Sequence, residues 1–146
     1  MKKEYKPGCP YGTHRVLEPK GVLPQAAWKI DNSPEIRDNE ILIDVETLNV
    51  DAASFKQLLS GCTEDMDDGA KEEYVASQVM EIVNERGKMH NPVTGSGGML
   101  LGRIAEFGPK VEGKEGAKVG DRICTLVSLS LTPLKINRVK KVYLDK

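Results

Sequence analysis

The sequence predicts a mainly β fold of the α+β class, built as a small, partly open β-barrel with one amphipathic helix and short helical turns. About five short segments have the alternation or the β-branched content of strands, and Gly and Pro turn signals separate them. Only one long segment has clear helical spacing. A βαβ sheet would require a helix after nearly every strand, so a barrel of one domain, residues 1–146, fits better.

Proline and glycine punctuate the first 35 residues and leave room for only two brief strands, at His14–Leu17 and Ala26–Ile30. Glu40–Val50 then alternates apolar and polar residues and is the clearest strand of the first half. Ala52–Leu59 is predicted to form a short helix directly after it, because a Ser-Gly stop follows.

The long helix is predicted at Lys71–Arg86, where a basic last turn precedes a glycine stop. Its apolar residues recur at helical spacing: Val75, Val79, Ile82 and Val83. The acidic run Glu64–Asp68 before it lacks the glycine and ligand spacing of a calcium loop, so we interpret it as a solvated helix entry.

Strands return in the last third of the chain. Met99–Phe107 is predicted as a strand that ends at a Gly-Pro turn, and Arg122–Ser130 as another that opens after a Val-Gly-Asp turn. A further strand is predicted within Lys135–Leu144.

Composition excludes several classes of partner. The net charge is −1 and aromatic residues make up 5%, so no nucleic-acid partner is expected. The longest uncharged apolar stretch, Ile123–Leu131, is about half of the ~20 residues that a membrane span requires, so no membrane partner is expected either. The basic N-terminus lacks a following apolar region, which predicts a cytoplasmic protein. The three cysteines form no Cys-x-x-Cys pair and are expected to be free thiols: Cys9, Cys62 and Cys124.

The glycine cluster Gly95–Gly98 is not a dinucleotide fingerprint. A G-x-G-x-x-G motif starting at Gly95 would place glycine where Leu100 stands, and it would have to run from a strand into a helix. Here a proline-containing loop comes first and a predicted strand follows. We therefore interpret these glycines as allowing the loop to approach another backbone or a ligand closely.

Four polar residues are candidates for a site, each with a structural alternative. His90 lies in a loop just before the glycine cluster, where ligand contact competes with a structural role. For His14 a hydrogen bond to the backbone is at least as expected. Asp51 and Ser54 follow the end of the Glu40–Val50 strand, and both residue types also begin helices as N-caps.

Two sets of motifs carry a family resemblance. A strand, a ligand-bearing turn, a glycine loop, a second strand and a V-G-D-R-I turn resemble the GroES-like catalytic domain of medium-chain dehydrogenases: Glu40–Val45, Asn49–Asp51, Pro92–Gly95, Gly102–Gly108 and Val119–Ile123. More specifically, six stretches across nearly the whole chain resemble the L-erythro-3,5-diaminohexanoate dehydrogenase family: Gly8–Val16, Glu18–Gln25, Trp28–Asn32, Ile82–Met89, Asn91–Leu100 and Thr125–Leu134.

The resemblance implies an NAD-dependent oxidative deamination of L-erythro-3,5-diaminohexanoate to 5-amino-3-oxohexanoate and ammonia in lysine fermentation. The chain is then the substrate domain of a homo-oligomeric enzyme, inactive alone, and NAD is bound mainly by a C-terminal Rossmann domain outside it. One alternative is a zinc-free quinone or enoyl reductase, which a carboxylate at Asp51 disfavours. The other is a non-enzymatic GroES-like binding module, whose apolar partner loop would have to be the acidic segment Gly61–Gly69.

The resemblance also implies the site residues. The positions that hold zinc ligands in zinc-dependent relatives are Asp51, Ser96 and Gly97 here, so no catalytic metal is expected. Asp51 is the expected catalytic residue, because a carboxylate can accept from the substrate ammonium and later act as a base toward water. No cofactor-binding residue is assigned, and the expected substrate-binding residues are Ser54, His90, Thr94 and Ser96.

The purified protein is expected to contain no stoichiometric zinc, because its residues replace the ligand set that the metal requires. Elemental analysis after dialysis against a chelator measures this. About one zinc per chain that survives the chelator would contradict the expectation.

Overall fold

The computed structural model describes residues 1–144, which form five strands in two antiparallel sheets and two α-helices. The elements in chain order are β1 Val16–Glu18, β2 Lys29–Ile30, β3 Ile41–Val50, α1 Ala52–Leu59, α2 Asp68–Arg86, β4 Gly98–Phe107 and β5 Arg122–Cys124. Short 3-10 turns occur at Thr13–Arg15 and Lys114–Gly116. Neither helix has the length and apolar character that crossing a membrane requires.

The main sheet has the order β3-β4-β5, and β1 and β2 form a separate two-stranded sheet. The long pair β3 and β4 runs from Ile41 opposite Phe107 to Val50 opposite Gly98. Among the described strands β5 pairs with β4 alone, so the sheet does not close into a full barrel. The predicted partly open α+β fold is confirmed in this form.

The two helices begin at aspartate caps. The Asp51 side chain accepts from the Ser54 N–H at the start of α1, whose bounds agree with the prediction. The Asp67 side chain accepts from Ala70 N–H, so α2 begins at Asp68, earlier than Lys71. Gly87 ends α2 at φ 72°, a left-handed conformation that favours glycine. The acidic run therefore supplies the cap of α2, and both predicted helices, the short one and the amphipathic one, are present.

The core lies between the two helices and one face of the main sheet. Its buried residues are Leu58, Val75, Val79, Val83, Met89, Leu100, Leu129 and Leu134. A second, small cluster beneath the N-terminal sheet contains Val16, Ala27 and Ile30. Burying an aliphatic side chain of this size contributes about 1.5–3 kcal/mol, so the larger cluster dominates the stability.

In the last third of the chain one strand prediction was too long and another was wrong. Beyond Cys124, the backbone N–H groups of Thr125 and Leu129 donate to the carbonyls of Leu100 and Gly98. The two donors are four positions apart in the chain, whereas their two acceptors on β4 are only two positions apart. The extra length loops outward at Leu126, which is 94% exposed, and the strand predicted to Ser130 stops early. Lys135–Leu144 forms no strand, because the segment packs Ile136 and Val142 on the core instead of pairing with a sheet edge.

The strands of the first 35 residues are shorter than His14–Leu17 and Ala26–Ile30, because a 3-10 turn takes up His14 and Arg15. Two buried cations join this segment to the end of α2. Arg86 Nε donates to the Trp28 carbonyl at 2.9 Å, and Lys88 Nζ donates to the Pro24 carbonyl at 2.7 Å. Burial, with a smaller contribution from Arg86, lowers the pKa of Lys88 to about 8.

The N-terminal segment is also attached to β3 through Glu40. The Arg15 guanidinium donates to both carboxylate oxygens of Glu40, at 2.9 and 2.6 Å, and Arg15 is 5% exposed. His14 Nδ1 accepts from Cys9 N–H, so its Nε2 carries the proton and donates to Glu40 at 2.6 Å. The hydrogen bond to the backbone that the sequence analysis expected for His14 is therefore present. Burial opposes ionisation of Glu40, but the hydrogen bonds outweigh it and lower its pKa to about 2.

Glu40→Gln is expected to lower the free energy of unfolding by about 3 kcal/mol at pH 7, because it leaves the buried Arg15 without its charged partner. A depressed folded-state pKa stabilises above the ordinary pKa of 4.5, and this contribution is lost as the pH falls toward about 2. The difference from wild type should therefore shrink over that window, measured by urea unfolding. Glu46→Gln, which breaks an exposed pair with Arg122, is the control and should cost less than about 1 kcal/mol. A difference that does not change with pH would contradict the assignment.

Candidate functional site

The candidate site lies where β3 ends and β4 begins. Because Val50 pairs with Gly98, the residues beyond this pair are held side by side, and Asp51 N–H donates to the Gly97 carbonyl at 3.1 Å. Helix α1 starts from Asp51 on one side. The loop at 91–97 reaches the same point from the other side.

The Asp51 carboxylate is only half satisfied. Its Oδ1 accepts from the Ser54 N–H at 3.0 Å and from the Ser96 hydroxyl at 3.0 Å. Its Oδ2 is buried and has no hydrogen-bond partner. Burial disfavours the charged form, but the hydrogen bonds from Ser54 and Ser96 outweigh it, so the pKa of Asp51 lies below its ordinary value. Asp51 is thus an ionised helix cap with one free acceptor oxygen.

Three hydroxyls form a closed triangle next to this carboxylate. Ser54 Oγ lies 2.8 Å from Thr94 Oγ1 and 2.9 Å from Ser96 Oγ, and the last two atoms are 2.9 Å apart. Ser54 is fully buried, whereas Thr94 and Ser96 are half-buried. The loop side is therefore the open side of the cluster.

The cluster has fewer protons than contacts. Each hydroxyl carries one proton, whereas the triangle and the contact from Ser96 to Asp51 make four oxygen-to-oxygen contacts. An ionised Asp51 supplies no proton, so at least one contact has none of its own. A group that brings N–H or O–H donors would complete the cluster, and the free oxygen of Asp51 would accept from it.

His90 does not join this cluster. Its Nε2 lies 3.0 Å from the Gly95 carbonyl, which can only accept, so Nε2 carries the proton. Its Nδ1 is buried and has no partner. Burial, together with the nearby Lys88, lowers the pKa of His90, which favours the neutral ring. The structure thus brings together Asp51, Ser54, Thr94 and Ser96, whereas the described contact of the His90 ring is with the Gly95 carbonyl.

The sequence analysis did not single out Asn91, which organises this loop. Asn91 is fully buried, and its Oδ1 accepts from the backbone N–H groups of Val93 and Thr94. The available signal was the Asn-Pro pair that opens the loop, because asparagine side chains commonly accept from the backbone of a turn two residues on.

The glycine cluster permits close backbone contact, as the sequence predicted. A Cβ on Gly97 would lie 2.6 Å from the Met89 carbonyl oxygen, and one on Gly98 would lie 2.0 Å from the Asn49 carbonyl oxygen. Gly98 opens strand β4 rather than a helix. The loop therefore offers no helix N-terminus to a pyrophosphate.

A cavity of about 240 Å³ adjoins the site but does not contain it. Gln57 and Leu58 of α1, Gln78 and Glu81 of α2, and Asn91 of the loop line part of it. None of the four clustered residues lines this cavity. Within residues 1–144 no three His, Cys, Asp or Glu side chains come together as a set of metal ligands.

Two known proteins that are similar to this chain are dehydrogenases by name. The chain is 58% identical over 132 residues to an L-erythro-3,5-diaminohexanoate dehydrogenase of Acetoanaerobium sticklandii, a match that covers 90% of this chain and 37% of the relative. It is 58% identical over 134 residues to the enzyme of the same name from Fusobacterium nucleatum subsp. nucleatum, covering 92% of this chain and 37% of the relative. The chain is therefore related to dehydrogenases and spans little more than a third of their length.

The particular family follows from a family model. The model described as the L-erythro-3,5-diaminohexanoate dehydrogenase N-terminal domain matches residues 14–146, almost the whole chain. The chain belongs to this family. The matched residues include the whole cluster around Asp51.

Gly98→Ala is expected to destabilise the fold by more than about 2 kcal/mol, because the added Cβ meets the Asn49 carbonyl and glycine's φ of 127° strains an L residue. Urea unfolding measures this. Gly95→Ala is the matched control: its φ is 69° but no atom lies within 4 Å of the added Cβ, so its cost should be about 1 kcal/mol. Equal costs at the two positions would mean that close strand pairing does not constrain Gly98.

Proposed function

We propose that this chain is the N-terminal, substrate-binding part of an NAD-dependent dehydrogenase that oxidatively deaminates L-erythro-3,5-diaminohexanoate to 5-amino-3-oxohexanoate and ammonia in lysine fermentation. The family membership and the names of the relatives support the reaction class. The proposed substrate is a small diamino acid, which presents two ammonium groups and one carboxylate. The site around Asp51 is proposed to bind one of these ammonium groups.

The observation that carries the proposal is that Asp51 is ionised and has one oxygen without a hydrogen-bond partner. This oxygen lies beside a hydroxyl cluster that has fewer protons than oxygen-to-oxygen contacts. A primary ammonium is a compact cation with three donors and no acceptor, as in the lysine side chain. It would supply both a charge partner for Asp51 and the missing donors for the hydroxyls. A hydrogen bond between charged groups is roughly twice as strong as a neutral one.

The same geometry supports a proton-transfer role. An amine carbon can lose a hydride only after the ammonium has lost a proton, and the free oxygen of Asp51 is the nearest acceptor in the proposed arrangement. The lowered pKa of Asp51 suits ammonium binding first. The same ionised carboxylate would then accept the ammonium proton before the hydride leaves the amine carbon.

The glycine loop differs from the dinucleotide-binding turn of a Rossmann domain. Within residues 1–144 the glycine loop enters a strand, and no strand is followed by a glycine-rich turn into a helix. We therefore propose that the cofactor, which would take the hydride, binds to a Rossmann domain in the remaining length of the dehydrogenase. The proposed role of this chain is to bind and orient the amine of the substrate.

Asp51→Asn in the full-length enzyme is expected to lower kcat by about 100-fold or more, because it removes the charge and the proton acceptor. Asparagine is as good a helix cap as aspartate, so α1 should remain folded. Steady-state kinetics with the diamino acid and NAD measure the effect, and thermal unfolding checks the fold.

Asp44→Asn is the control, since Asp44 is an exposed carboxylate on the same strand, β3. It should leave the kinetics unchanged. If Asp51→Asn behaves like this control, Asp51 is a helix cap alone and the proposed role is wrong.

A further inference from the structure

We propose that Asn91 is a positioning residue for the Asp51 site, because its side chain joins helix α1 to the site loop and so sets where the Ser96 hydroxyl stands relative to the carboxylate. The inference rests on the proposed function of Asp51 and assigns Asn91 no contact with substrate. The Asn-Pro pair in the sequence signals an ordered loop, but the link to helix α1 is visible only in the structure.

The Asn91 side chain uses its donor and its acceptor in two directions. Its Oδ1 accepts from Val93 N–H at 2.8 Å and from Thr94 N–H at 3.3 Å, within the loop. Its Nδ2 donates to Gln57 Oε1 of α1 at 2.9 Å. Asn91 is fully buried, so loss of its side chain would remove all three hydrogen bonds from the interior of the loop.

The backbone of Asn91 closes the same loop. Its N–H donates to the Ser96 carbonyl at 2.9 Å, and its carbonyl accepts from Gly95 N–H at 2.8 Å. The loop from residue 92 to residue 96 is therefore anchored to one residue by side chain and backbone together. The position of Ser96 is determined by the position of Asn91.

Helix α1 meets this loop at two points. Ser54 contacts Thr94 and Ser96 through its hydroxyl, and Gln57 contacts Asn91 through its amide. Residues three apart lie on the same face of a helix, so the two contacts form one continuous attachment. Two points of attachment prevent the loop from pivoting about the hydroxyl triangle.

The attachment determines the environment of Asp51. The carboxylate caps α1 and accepts from Ser96 of the loop, so any shift of the loop against the helix lengthens this hydrogen bond. Loss of the Ser96 donor would remove one of the groups that lower the pKa of Asp51, and the pKa would move up toward its ordinary value. A purely structural role elsewhere in the loop would not change this titration.

The test uses three variants of the full-length enzyme. Asn91→Leu removes the whole side-chain link at similar volume, and Gln57→Leu removes only the acceptor on α1. Gln78→Leu is the matched control, since Gln78 lines the same cavity from α2 and has no hydrogen bond to the loop among the described residues. The readouts are kcat, KM, the acid limb of the profile of kcat/KM against pH, and the Asp51 titration by carbon NMR.

Asn91→Leu is expected to lower kcat by about 10- to 100-fold, because small displacements of catalytic groups cost that much. The acid limb of its pH profile and its Asp51 titration should both move to higher pH. The reason is that Asp51 accepts a proton only when it is ionised, and its pKa is expected to be higher in this variant. Gln57→Leu should shift both in the same direction by less, and Gln78→Leu should match wild type. If a folded Asn91→Leu protein has the wild-type acid limb and the wild-type Asp51 titration, the inference is wrong. If Asn91→Leu does not fold, the same comparison is made with Gln57→Leu, and an unchanged Asp51 titration there would overturn the inference.

The titration also separates this inference from the proposed function. If the wild-type enzyme does not oxidise the diamino acid, the proposed function is wrong. The NMR comparison of Asp51 between wild type and variants then still decides whether Asn91 positions the site.

Discussion

The antiparallel pairing of β3 with β4 is the constraint on which the rest of this structure depends. The pair extends over ten residues of each strand and ends with Val50 opposite Gly98. The residue after β3, Asp51, caps helix α1, and the residue before β4, Gly97, ends the site loop. Because a slip of one residue would reverse every side chain in a strand, this register brings Asp51 to the end of the loop that carries Ser96. Both attachments of α1 to the loop follow from it.

The buried polar groups of the molecule include some that have hydrogen-bond partners and a few that have none. Glu40 is matched by Arg15 and His14, and the buried cations Arg86 and Lys88 are bonded to backbone carbonyls. Unmatched buried atoms are fewer: within residues 1–144 the buried side-chain atoms without a partner are Asn39 Oδ1, Asp51 Oδ2 and His90 Nδ1. Asp51 and His90 are both bonded to the loop at 91–97, through Ser96 and Gly95. Since leaving a buried polar atom unpaired costs about 1–3 kcal/mol, such atoms point to a function or to a group that binds there.

The loop that presents the hydroxyls is rigid in spite of its glycines. The backbone of Asn91 is bonded to Gly95 and Ser96, and a Cβ added to Gly97 would lie 2.6 Å from the Met89 carbonyl oxygen and 2.8 Å from the Ser130 nitrogen. Glycine here serves close packing rather than flexibility, because a side chain at Gly97 or Gly98 would collide with neighbouring backbone. A rigid loop suits a site that must hold several hydroxyls in fixed positions, since the cost of ordering them is met during folding.

The sequence by itself determined the local elements. Alternation defined β3, an Asp cap and a Ser-Gly stop bounded α1, and the glycine at 87 ended α2, since these signals act within a few residues. Asp51 was also within reach of sequence reasoning, because it follows a clear strand. Only the tertiary structure decided which polar residues meet: Ser54 contacts Thr94 and Ser96 across 40 and 42 residues of chain. It also decided that β5 stops at Cys124, that Lys135–Leu144 forms no strand, and that Asn91 joins helix to loop. These outcomes depend on which backbone groups and side chains have free partners nearby in space, and periodicity along the chain carries no information about that.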